Sequence, residues 1–286
     1  MRRLLALLAT AVPLTAAAQW TFDAEGARVY DDNLSRAQRE SDIARDRAWT
    51  ARAAIGRLFS IGDGDAAVRA EFRGARYDHY SGLDHHALGV GAGWRRKLGL
   101  GLTAPWLAFD ASVLAEDYET QVRDGHRADA SVTLGKRFDE RVEVSLRAAY
   151  DRRSQSDDLA VVPGISGQPF SLQGRSLSLK GSYAFSDRGL VFLSAGMRHG
   201  DVVSSTRRNL EIFSESAAIA SDAAFGPDFI AYRLTGARTR TWSVGLSWTL
   251  GRRVALEAAL ARDQTAARGG LDYDGNIYSF SLVYSD

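Results

Sequence analysis

The chain has 286 residues, 45% of them hydrophobic, and no cysteine. It is long enough for one large domain or two average ones, and it has no disulfide framework. Thirty-six basic against 35 acidic side chains leave a formal charge of +1, which excludes the basic surface that nucleic-acid binding needs, and a mean hydropathy of −0.22 excludes a bundle of membrane-spanning helices.

The first segment is MRRLLALLATAVPLTAAAQW. Arg2 and Arg3 precede a short apolar stretch from Leu4 to Val12, and Ala16-Ala17-Ala18 precede Gln19. A charged start, an apolar middle too short to span and small residues before a cut are the pattern of a secretory signal peptide. Residues 1–18 are therefore expected to be a signal peptide and 19–286 the mature domain. Loss of Arg2 and Arg3 turns the formal charge from +1 to −1.

After residue 19 no 3.6-residue pattern is sustained. Apolar residues alternate with polar ones instead, the mark of half-buried strands. In ERVEVSLRAAY, Val142, Val144, Leu146, Ala148 and Tyr150 share one face, and Arg141, Glu143, Ser145 and Arg147 the other. TWSVGLSWTLG sets Trp242, Val244, Leu246, Trp248 and Leu250 against Thr241, Ser243, Gly245, Ser247 and Thr249. The same test predicts about twelve strands, near 20–33, 46–60, 66–79, 85–97, 105–119, 126–138, 141–152, 173–186, 189–201, 236–250, 253–265 and 276–284.

Connections alternate in length. Short turns fall at 62–65, 98–102, 139–140, 186–189 and 251–253; longer segments fall between them, the longest at 153–172 and 202–235. Most strands reach the roughly 9–11 residues that a tilted strand needs to cross a bilayer, above the roughly 5–6 usual in soluble sheets. Trp20, Phe59, Trp94, Phe185, Trp248 and Tyr284 lie near one set of strand ends, Tyr30, Trp49, Tyr150 and Trp242 near the other, all on the apolar face. Two aromatic bands suit the two interfaces of a membrane. The expected fold is all-β: a transmembrane antiparallel barrel of about twelve strands with both termini on the short-turn, periplasmic side.

On these residues the chain resembles a Gram-negative outer-membrane β-barrel. Its last strand, with Gly275, Tyr278 and Phe280, is similar to the signal read by the barrel-assembly machinery, although Ser285 and Asp286 follow Tyr284 where such chains often end on an aromatic. VYDDNLSRA (29–37) resembles the first strand of surface-lipoprotein assembly modifier barrels. The resemblance implies an outer-membrane location. The partners it implies are the assembly machinery and outer-membrane lipid with lipopolysaccharide.

If apolar residues face lipid, the opposite register faces a lumen. It contains Arg52, Arg69, Glu71, Arg73, Asp110, Glu116, Arg127, Asp129, Arg141, Glu143, Arg147, Lys180, Arg198 and Glu257. Arginine supplies nearly all the positive charge, which suits bidentate pairing with carboxylates. Two readings stand: a cross-lumen network in a narrow, partly plugged barrel, or opposed patches along a water path. Gly89, Gly91 and Gly93 share the inward face and relieve crowding there.

Candidate chemistry is sparse. The five histidines, His79, His85, His86, His126 and His199, lie near the long-loop ends. His79 and His85 with Asp78 or Asp84 have no recognised zinc spacing. His199 points outward, with Asp201, Ser204 and Ser205 just after it, a composition that an acyl-transfer site requires without its geometry. DYDGN (272–276) lacks the spacing of a calcium loop and reads as a turn. No catalytic residue, metal or cofactor is expected. The function expected is a narrow channel or export barrel for small or extended polar solutes. The alternatives are a lipid-modifying hydrolase and a surface assembly or adhesin barrel acting through the long loops.

Overall fold

The computed structural model describes residues 19–286, so the expected signal peptide lies outside the described residues. Twelve long strands build the wall: β1 (Gln19–Asp31), β2 (Asp46–Ile61), β3 (Gly64–Tyr77), β4 (His85–Lys97), β5 (Trp106–Tyr118), β6 (Gly125–Arg137), β7 (Val142–Gln155), β8 (Leu172–Ala184), β9 (Gly189–Thr206), β11 (Ile230–Thr249), β12 (Val254–Ala266) and β13 (Asp272–Ser285). A four-residue strand, β10 (Ala218–Ser221), pairs with the top of β11. Neighbours in the wall are antiparallel, β9 pairs directly with β11, and β1 pairs with β13 from Asp23↔Ser285 to Asp31↔Ile277. That last ladder closes the sheet, so among the described residues every wall strand has two partners.

The alternation in the sequence decides which side of the wall each residue takes. Outward-facing Val113, Leu146, Leu193, Leu246 and Phe280 are each more than 40% exposed, and among the described residues no second layer lies over them. Trp94 and Phe109 (5.7 Å), Phe185 and Trp248 (6.2 Å) and Phe22 and Tyr284 (5.8 Å) adjoin across strands near the short-turn end. Tyr30 adjoins Tyr278 near the other end. An apolar band between aromatic girdles is the outer surface of a barrel made for hydrocarbon.

The short-turn end is tight. Gly62 turns between β2 and β3 with φ +60°, a region that disfavours other residues. The Asp139 carboxylate accepts from the backbone N–H of Arg141 and of Val142, both at 2.7 Å; these bonds hold its pKa below the usual carboxylate value. Both described ends lie here: Gln19 pairs with Leu58, and Asp286 bonds to Phe22.

The long segments are more ordered than the sequence suggests. β9 continues to Thr206 and β11 begins at Ile230, so part of the expected 202–235 loop is strand. The rest carries α1 (Leu210–Glu215), capped by the Asn209 side chain, and β10. DYDGN is also strand, not turn; Asp274 faces outward and pairs with Arg262 at 2.7 Å. A register shift between Leu234 and Ala237, with Gly236 at φ +68°, separates the wall part of β11 from its upper part. Above it, Ile212, Ile219, Tyr232, Leu234, Leu271 and Tyr273 bury one another. A second cluster joins Ala44 and Leu83 to Ala224, Phe225 and Phe229, and a third joins Val122 and Phe170 to Ala220 and Ala231. The apolar cores thus lie in a lid assembled from the long segments.

Replacing Val113 with arginine puts a charge in the middle of the lipid face and is expected to destabilise the barrel by about 2–4 kcal/mol. The same charge at Ser178, which lines the interior, leaves stability nearly unchanged. Denaturant titration of both variants refolded into vesicles checks the contrast.

Candidate functional site

Inside the wall the inward residues form linked ion pairs. Arg69, Glu71 and Arg73 stand at alternate positions of β3, so all three point inward. Arg69 Nε donates to Glu71 Oε1 at 2.7 Å and Arg73 Nη2 to Glu71 Oε2 at 3.0 Å. Glu71 is buried by these partners and by Gly91 of β4, where a Cβ would stand 2.3 Å from Glu71 Oε1. The missing side chain lets the carboxylate lie against the next strand. Arg69 also reaches Asp110 at 3.7 Å, and Arg127 pairs with Asp129 at 2.9 Å. Arg198 on β9 crosses β8 to Asp151 on β7 with two bonds, at 3.1 and 2.7 Å. It passes over Gly174, where a Cβ would stand 2.3 Å from Arg198 Nη2.

These residues surround a cavity of about 380 Å³ between β2 and β8. Five arginines (Arg52, Arg69, Arg73, Arg127 and Arg147) and three aspartates (Asp110, Asp129 and Asp151) line it. Glu71 and Arg198, bound to lining residues, cancel each other, so the excess is positive. Arg69, Arg73 and Arg127 have carboxylate partners; among the described residues Arg52 and Arg147 have none within 4 Å. Ser112, Ser131, Ser176 and Ser178 complete the polar lining, and the buried Ser131 hydroxyl has no hydrogen-bond partner among the described residues.

The other inward residues lie elsewhere. Glu116 pairs with Arg153 closer to the lid. Lys180 places its ammonium 4.6 Å from the Phe192 ring centre, and Glu257 lies on β12 opposite Ser247. Glu143 pairs with Arg137 at 3.2 Å near the short-turn end. Arg141 precedes β7 and is exposed in the turn. Sequence reading passed over Asp151, although its parity with Glu143 and Arg147 marks it as inward. It also passed over the four serines, which carry no hydropathy signal of their own.

The lid is fastened across the mouth. Arg123, in the β5–β6 connection, makes two bonds to Asp222 just after β10, at 3.2 and 2.6 Å, and the Ser205 hydroxyl donates to the same carboxylate at 2.5 Å. The Arg123 guanidinium lies 4.3 Å from the Phe170 ring centre and 5.5 Å from that of Phe225. Asp222 is fully buried. Nothing periodic in the 202–235 segment signals this pair.

The histidines enter ordinary contacts. His79 Nδ1 lies 2.8 Å from Asp46 Oδ1, and His85 stacks on Tyr118. Among the described residues no cluster of three or more His, Asp and Glu could hold a metal. His199 faces outward in register with Arg175 and Arg238. Ser204 and Ser205 are instead buried in the lid, donating to the Arg36 carbonyl and to Asp222.

No protein-family model matches the chain, and no curated protein matches it. Among solved structures, an outer-membrane channel of Pseudomonas putida superposes with a TM-score of 0.62 at 13% identity, over 96% of this chain and 97% of that one. The fold is that of an outer-membrane β-barrel. The β domain of the Bordetella autotransporter BrkA (TM-score 0.46, 12% identity, 93% and 98% covered) and the outer-membrane channel DcaP of Acinetobacter baumannii (0.44, 11%, 94% and 97%) align more loosely with this barrel.

Asp222→Ala leaves Arg123 without its carboxylate and is expected to loosen the barrel's lid by about 3 kcal/mol. Limited proteolysis of the folded barrel checks this: cleavage within 207–229 should accelerate while the wall stays intact.

Proposed function

We propose that the protein is a non-enzymatic outer-membrane channel for small polar solutes, with anions favoured over cations. In this reading the long segments face outward and both described ends face the periplasm. The barrel-assembly machinery engages the C-terminal strand, β13. The observation that carries the proposal is the cavity with its two arginines, Arg52 and Arg147, that among the described residues have no carboxylate within 4 Å. A guanidinium without a carboxylate partner in a confined polar space attracts anions and repels cations. The paired residues around it hold the shape of the passage, and the lid governs access.

Wild-type protein in a planar bilayer is expected to give small single-channel currents with a reversal potential shifted toward that of the anion. Arg52→Gln with Arg147→Gln should abolish or reverse that selectivity without unfolding the barrel. Deletion of 207–229 should raise the conductance severalfold. Absence of current in any salt, with and without that segment, would remove the channel reading; cation selectivity in the wild type would remove the role given to the arginines.

A further inference from the structure

The outer rim of β7, β8, β9 and β11 carries charge that the passage does not use. Arg152 on β7, Arg175 on β8 and His199 on β9 all face outward and are exposed. Tyr150↔Arg175, Arg175↔His199 and His199↔Arg238 are cross-strand partners, so these side chains occupy adjacent strands. Arg152, Arg175 and His199 border one cavity of about 670 Å³. Arg153, Arg198 and Arg262 nearby are each paired with a carboxylate. Among the described residues neither Arg152 nor Arg175 has one within 4 Å. Arg233 borders the same cavity; its Nη1 donates to the Ser171 carbonyl at 2.6 Å, and its buried Nε has no partner among the described residues. The carboxylate there, Asp201, accepts from the Gln173 N–H at 3.1 Å.

A second, independent feature lies beneath it. Lower on β8 and β9 two outward residues are small, Gly181 and Ala195, and they lie between Leu179, Leu193, Trp242 and Val244. They leave a groove of about 490 Å³ in the lipid-facing wall. A Cβ built on Gly181 meets nothing within 4 Å. Arg175 and Leu179, like His199 and Ala195, are four strand residues apart, about 13 Å. A cationic rim thus stands directly above an apolar slot on the same strands. Unpaired guanidinium groups at an interface are suited to phosphate, which accepts bidentate hydrogen bonds. An apolar groove in the membrane-facing wall is suited to a hydrocarbon chain.

We propose that this face is a binding site for a phosphorylated, acylated lipid of the outer leaflet. Arg152, Arg175 and His199 hold the phosphate, and the groove at Gly181 and Ala195 seats an acyl chain. The inference rests on the orientation given above, with the long segments outward, and does not depend on conductance.

The test uses the full barrel in detergent micelles doped with bisphosphorylated lipid A, with its dephosphorylated form, or with inorganic phosphate, and counts bound lipid by native mass spectrometry. Wild type is expected to retain bisphosphorylated lipid A and to lose about tenfold in affinity for each guanidinium removed in Arg152→Gln and Arg175→Gln. Gly181→Leu, which fills the groove from outside, should weaken binding of both lipid forms. Arg57→Gln, at the opposite rim, should change nothing. Heat-modifiable electrophoretic mobility confirms that each variant is folded. Equal retention by wild type and the Arg152→Gln, Arg175→Gln double variant would overturn the proposal, as would indifference to the lipid phosphates. Displacement of the lipid by millimolar inorganic phosphate would also overturn it, since the occupant would then be a free anion. A barrel that binds the lipid but conducts nothing would refute the channel reading and leave this one standing.

Discussion

The structure depends on one ladder, the pairing of β1 with β13. A strand in hydrocarbon has no water to satisfy its N–H and C=O groups, and each unsatisfied group costs several kcal/mol. Thirteen residues at one end of the described chain must therefore find fourteen at the other. The pairing runs for nine residues, from Asp23↔Ser285 to Asp31↔Ile277, without a register break. Once it forms, each wall strand has both neighbours and the alternation of side chains acquires a fixed inside and outside.

Closure inverts the usual arrangement of a folded protein. Large apolar side chains such as Leu193 and Phe280 remain exposed on the outside, where lipid covers them. The interior then has to accommodate charge. It does so by pairing: Glu71 between two arginines, Asp151 with Arg198, Glu116 with Arg153. Buried carboxylates are tolerated only when their lone pairs are met, and glycines at 91 and 174 make the room in which they are met. The arginines left over, Arg52 and Arg147, define the cavity electrostatically. A protein that needs its apolar residues outside has few for a core. Those it has are gathered over the mouth, where Phe170 and Phe225 flank the Arg123–Asp222 pair. Cavity and lid are therefore built from different chemistry, the first from charge on strands and the second from packing between loops.

Much of the wall was legible in the sequence because period-two alternation is a local signal. The register through Val142, Val144 and Leu146 states which residues face out without reference to any other strand. The inward set followed from the same parity. What parity does not carry is distance. It places Arg69, Glu71 and Asp110 on one side of the sheet, but their pairing depends on the stagger between β3, β4 and β5. The lid was least legible, because Asp222 meets Arg123 across ninety-nine positions of sequence, and its apolar residues have no regular spacing. The upper parts of β9 and β11 were missed for a related reason: Ala231, Tyr232 and Leu234 are buried by the lid rather than by lipid, so the alternation that marks the wall breaks down there. DYDGN shows the opposite error. Its turn-forming composition was overruled by the ladder to β12, with Asp274 opposite Gln264 and Asn276 opposite Arg262.

The most direct measurement is the environment of individual positions in a lipid bilayer. The sequence has no cysteine, so single cysteines can carry a spin label without background. Collision with dissolved oxygen against collision with a water-soluble nickel complex reports whether each label sits in hydrocarbon or water. Labels at Leu146, Leu193, Leu246 and Phe280 are expected to favour oxygen strongly, and labels at Arg147 and Ser178 to favour the nickel complex. Outward labels that meet nickel as readily as the inward ones would contradict the account at its base.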